Sequence, residues 1–121
     1  MADSTTETQA NNTPSTDAPN AASGKVTIAA SISGATEFIR VLCGFKPKYV
    51  KWMNADIASS FEWFEGMAAN TCFKTLGSSG VITLETTNGG ITVDSVGFRV
   101  LQNATLLAVS ADDVCYWRAT A

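Results

Sequence analysis

The sequence contains no histidine and three cysteines, Cys43, Cys72 and Cys115. A serine or cysteine nucleophile ordinarily hands its proton to an imidazole, and no S-x-x-K spacing supplies a lysine instead. A zinc site would need all three thiolates plus a carboxylate, without any C-x-x-C pair to seat the metal, so the thiols are expected to be buried and free. Glycoside hydrolysis needs two carboxyl groups facing one bond. Glu62 and Glu65 stand three apart, which on a strand turns them to opposite faces. Asp112-Asp113 has too few neighbouring oxygens for a calcium loop, and Gly77-Ser78-Ser79-Gly80 lacks the lysine and following helix of a phosphate loop. The reading is therefore no catalytic residues, no metal ligands, no cofactor, and a chain that is not an enzyme.

What remains is binding. Tyr49, Trp52, Trp63, Tyr116 and Trp117 could form an aromatic platform for a sugar ring or a subunit interface, although each would serve equally well as core. Tyr49 and Trp52 fall on opposite faces of one strand, so at least one is expected to point outward. Lys46, Lys48 and Lys51 form the densest positive cluster, with Glu62 and Glu65 available to balance it. The surface candidates are thus Tyr49, Lys51, Trp52, Lys46 and Lys48.

The elements that must position these residues divide the chain in two. Residues 1–23 are nearly all Ala, Ser, Thr, Asn, Gln and Pro, and their only ionisable side chains are Asp3, Glu7 and Asp17. Such a segment buries too little apolar surface to offset its ordering entropy, about 1–2 kcal/mol per residue, and reads as a flexible arm. Residues 24–121 carry equal numbers of acidic and basic side chains, and this neutrality argues against nucleic acid as a partner. Neither a secretory signal nor 18 consecutive apolar residues is present, so no membrane association is expected.

Past Gly24 the apolar pattern has a period of two. Strands are expected from Val26 to about Ile32, over 38–43 as a run buried on both faces, over 49–54 and over 61–64. Phe61 and Trp63 share one face of that last strand, Glu62 and Phe64 the other. Residues 68–76 read as a loop and Gly77–Gly80 as a turn. A strand over 81–86 is expected to pair with 91–93 across the hairpin signal Asn88-Gly89-Gly90. Asp94-Ser95 turns into a strand over 97–101, and 106–109 and 114–119 complete the set. About eight short strands without interposed helices predict an all-β fold, a small antiparallel sandwich or barrel with an extended N-terminal arm.

Several segments in order, Gly44-Phe45-Lys46-Pro47-Lys48-Tyr49-Val50, Glu62-Trp63-Phe64-Glu65-Gly66-Met67 and Gly97-Phe98-Arg99-Val100, resemble a group of short tailed-bacteriophage virion proteins. In that group F-x-P-x-Y-V, E-W-x-E-G-M and G-F-x-V recur in the same order. The resemblance covers roughly residues 44–119. It implies a setting, the virion, with synthesis in the bacterial host cytoplasm, and carries no catalytic residues. Together with the arm it leads to the expectation of a capsid decoration (cement) protein that binds between capsomers. The major capsid protein is its expected partner, and a homo-oligomer, trimer favoured, its expected state. The alternatives are a tail, baseplate or fibre module binding host-surface carbohydrate, or a connector subunit.

Overall fold

The computed structural model describes residues 2–3, 7–10, 21–28, 37–86, 90–102 and 113–121. From Ala21 onward they form nine strands: β3 (Ala21–Ile28), β4 (Glu37–Leu42), β5 (Tyr49–Asn54), β6 (Ser59–Phe64), β7 (Cys72–Thr75), β8 (Ile82–Glu85), β9 (Ile91–Asp94), β10 (Gly97–Gln102) and β11 (Val114–Thr120). Two short arm segments, β1 (Ala2–Asp3) and β2 (Glu7–Ala10), lie at sheet edges. One sheet has the order β1-β4-β10-β9 and the other β2-β3-β11-β5-β6-β7-β8. Every pairing is antiparallel except that of β1 with β4. The all-β class is as the period-two pattern predicts.

Alternation decides which side chains meet between the sheets. The ladder pairings line up Gly24, Trp117, Trp52 and Phe61 in one inward row across four strands, and Ala22, Ala119, Val50 and Trp63 in another. From the facing sheet Phe98 presents its ring edge-on to Trp117, at a centroid distance of 5.4 Å, and to Trp52, at 6.4 Å. Such T-shaped contacts add about 0.5–1.5 kcal/mol each beyond simple burial. Ile39, Val41, Ile91 and Val100 complete the core from that side. Gly24 is where the Trp117 indole needs room, since a Cβ there would sit 2.6 Å from its Nε1. The β5–β6 turn is fixed by the buried Asn54, whose Oδ1 accepts the Asp56 N–H at 2.9 Å and whose Nδ2 donates to Asp113 at 3.1 Å. Asp56 in turn accepts the Val114 N–H at 2.7 Å, joining that turn to the start of β11.

Several elements differ from expectation. Strand β3 starts at Ala21, three residues before Gly24, and the small side chain of Ala22 packs into the core opposite Ala119. The strand over 38–43 is buried on one face only. Its Ile39 and Val41 are inside, whereas Arg40 and Leu42 lie on the open outer face of the smaller sheet. Cys72–Thr75, read as loop, is strand β7 between β6 and β8. Strands β8 and β9 do not pair: β8 pairs with β7 in one sheet and β9 with β10 in the other. The chain crosses between sheets there because Ile91 bridges Thr71, accepting the Asn70 N–H at 3.2 Å and donating to the Thr71 carbonyl at 3.1 Å. The strand expected over 106–109, most of the arm, and the Asn88-Gly89 pair lie outside the described residues.

Candidate binding face

The ladder pairings also define the outer face of the seven-stranded sheet. One row runs Lys25, Tyr116, Met53, Ser60, Thr75, Ile82, and the next Ser23, Arg118, Lys51, Glu62, Phe73, Leu84. A third pairs Thr120, Tyr49 and Phe64. Along this face the ring of Phe64 lies 5.1 Å from that of Tyr49 and 6.1 Å from that of Phe73, and Phe73 is directly opposite Leu84. A continuous apolar band therefore runs from Tyr49 to Ile82. It is open to solvent: Phe64 is 45% exposed, Phe73 36%, Leu84 52% and Ile82 67%.

Polar groups frame the band. The Tyr49 hydroxyl donates to Glu62 Oε2 at 2.6 Å. Burial, with the hydrogen bond to Glu62 and that carboxylate's charge, pushes the phenol up to about 12, against a smaller opposing pull from Arg118. Lys51 is the cross-strand neighbour of both Glu62 and Arg118. Beside them Tyr116, 48% exposed, lines a shallow cleft of about 190 Å³ with Lys51, Met53 and Arg118.

The outer face of the smaller sheet is built differently. Arg40 and Arg99, directly opposite each other, both reach Asp94 Oδ2, at 2.8 and 3.4 Å. Burial alone would raise the Asp94 carboxyl. The N–H groups of Val96 and Gly97 and the Arg40 guanidinium outweigh it and hold the group below the usual carboxylate range. That face carries an ion network, and Leu42 is exposed on it.

The five surface candidates separate. Tyr49 and Lys51 take the outer face as neighbours, two residues apart on β5. Trp52 does not: it is fully buried between Trp117, Phe61 and Phe98, a correction that follows from its place in the inward row. Lys48 is exposed, and Lys46 lies at one end of the sandwich. There it shares a cleft of about 290 Å³ with Pro47, Trp63, Glu65, Met67 and Val93. The F-x-P and E-W-x-E-G-M segments thus meet in space. Met67 closes a turn by donating its N–H to the Phe64 carbonyl at 3.0 Å, which Gly66 permits with a φ of +98°. Phe73, Ile82 and Leu84 also lie on the outer face of the seven-stranded sheet. Reading 72–75 as loop hid Phe73, and pairing β8 with β9 hid the open position of Ile82 and Leu84. The three thiols are buried and free, as expected from their spacing. Among the described residues no group of three or more His, Cys, Asp or Glu side chains could hold a metal, and no helix is long and apolar enough to cross a membrane. Comparison with protein-family models, with curated proteins and with solved structures finds no match to this chain.

Proposed function

We propose that the protein is a structural subunit of a tailed-phage virion, a decoration protein that seats the outer face of its seven-stranded sheet against the assembled head. The observation that carries this reading is the apolar band from Tyr49 through Phe64 and Phe73 to Leu84 and Ile82, left open to solvent by the fold. Contiguous apolar patches of this kind on a small domain mark surfaces that another protein covers. The resemblance of the 44–119 segment to short virion proteins supplies the setting. The N-terminal segment, polar and without large apolar side chains after Met1, would add a second contact to neighbouring subunits. The mechanism is mass action: a module that binds only the assembled shell stabilises the shell by its binding free energy.

The test uses purified full-length protein and heads of the phage that encodes it. Wild type is expected to co-sediment with expanded heads in many copies, and the paired variant Phe64→Ser, Phe73→Ser to lose that binding while keeping the fold. Equal binding by the variant, or density for the chain only at a single vertex or in the tail, would contradict the decoration role.

One observation favours a second reading. The half-exposed Tyr116 ring lies in a shallow cleft with the cationic Lys51 and Arg118, a layout suited to stacking a sugar and donating to its hydroxyls. A tail or fibre module of this type predicts glycan binding that Tyr116→Ala abolishes. A glycan array without hits would remove it.

A further inference from the structure

The seven-stranded sheet ends at β8, whose outer edge has no partner among the described residues. Natural sheets usually blunt such an edge with lysine, proline, a bulge or a covering segment. This one carries Val81, Ile82 and Leu84, all more than half exposed, and Glu85 is its one charged residue. We propose that β8 is a self-pairing edge, which joins the same edge of a second copy, antiparallel, across a twofold axis through Thr83.

The backbone selects the register. In an antiparallel ladder the N–H and C=O of one residue point to the same side, and successive residues alternate. Leu76 donates its N–H to the Val81 carbonyl at 3.1 Å, so Val81 faces β7. By alternation Thr83 and Glu85 also face β7, while Ile82 and Leu84 direct their N–H and C=O groups at the open edge. Two identical edges satisfy these groups when Ile82 of each copy stands opposite Leu84 of the other, giving four inter-chain hydrogen bonds with Thr83 opposite Thr83 on the axis. Registers shifted by one residue oppose an outward-facing backbone to one already used by β7. A shift of two residues one way sets Leu84 against Gly80, which lies in the turn. The other way sets Ile82 against Thr86, past the end of the strand, and Glu85 against Thr83.

The side chains agree with this register. Ile82 and Leu84 both project from the outer face, so the matched register forms two apolar cross-strand pairs there. Glu85 falls opposite Val81, and no like charges meet. The apolar row ending Phe73, Leu84 would continue into Ile82 of the second copy, joining two bands into one. An isologous pairing of this kind gives a dimer, where the sequence alone led to the expectation of a trimer.

Sedimentation of the full chain over a concentration series is expected to show a reversible monomer–dimer equilibrium. In Thr83→Cys the two introduced thiols would lie on the axis with Cα atoms about 4.5 Å apart, as in any non-hydrogen-bonded antiparallel pair, and mild oxidation should cross-link most of the protein. In Leu84→Cys the same atoms would be roughly 8 Å apart, beyond disulfide reach, and cross-linking should be at least about tenfold slower. The native thiols are buried and give little background. Ile82→Pro removes two of the four inter-chain bonds without touching the β7 ladder, and should weaken the dimer about tenfold or more. A chain that stays monomeric at all concentrations, Thr83→Cys linking no faster than Leu84→Cys, or a dimer unaffected by Ile82→Pro would each overturn the pairing. A monomer that still binds phage heads would overturn it while leaving the virion reading intact.

Discussion

Replacing Phe98 by alanine and replacing Phe64 by alanine remove the same phenyl ring from the core and from the outer face of one sandwich, and the two losses should separate stability from binding. Phe98 is fully buried and stacks edge-on against both Trp52 and Trp117. Truncation there forfeits the transfer energy, leaves a cavity and breaks two ring pairs, which together cost about 3–5 kcal/mol. A domain of this size is stable by about 5–15 kcal/mol, so Phe98→Ala should be partly unfolded at modest denaturant. Phe64 is 45% exposed and touches Tyr49 and Phe73 on the outer face. About half of the roughly 1.5–3 kcal/mol available to a buried aromatic is realised there, with a further fraction of a kcal/mol from its ring contacts. Phe64→Ala should therefore cost about 1–2 kcal/mol. The assay is equilibrium urea unfolding followed by tryptophan fluorescence, with the denaturant slope checked to be unchanged. Equal losses for the two variants would refute the reasoning, because they would mean that the Phe64 face is packed inside the fold and is not free for a partner.

Gly24→Ala should destabilise by about 1–3 kcal/mol, seen as a lower urea midpoint, because the new Cβ would press into the Trp117 indole at 2.6 Å. Acid should weaken the fold through Asp94. Its folded value lies below its unfolded one, so its contribution is complete above about pH 4 and is lost as pH falls through the depressed value. A pH series of melting temperatures should show an acid limb that is shallower in Asp94→Asn. Cys72 and Cys115, both pushed up to about 12 chiefly by burial, should resist a thiol reagent at pH 8 in the native state and react fully in denaturant. Rapid native labelling of either would show that its strand opens.

Much of the fold was legible because alternation is a local signal. Alternation sets Glu62 and Phe64 on the face opposite Phe61 and Trp63, and the ladder of β5 and β6 bears that out. Alternation separates Tyr49 from Trp52 but does not say which lies inside. That is decided by the cross-strand row Gly24, Trp117, Trp52, Phe61, assembled from residues far apart in the chain. Strand β7 was missed because four residues between turn-forming neighbours are too few to display a period. Asn88-Gly89-Gly90 is a hairpin signal by its own chemistry, yet the bridge between Thr71 and Ile91 sends the chain to the other sheet. The same two departures hide part of the candidate face, since Phe73 sits on β7 and Ile82 and Leu84 on β8. Pairing partners are chosen by burial across the whole domain, and no short window of sequence contains that choice.

Under the proposed virion role, the most direct test of the central idea, that the outer face of the seven-stranded sheet is the surface a partner covers, is hydroxyl-radical footprinting of the free protein against the same chain bound to phage heads. Oxidation of Phe64, Phe73, Leu84 and Tyr116 should fall at least about fivefold on the particle, while Leu42 on the opposite sheet stays as reactive as before. Unchanged oxidation of the band, with protection at Leu42 instead, would place the contact on the other sheet and contradict the account.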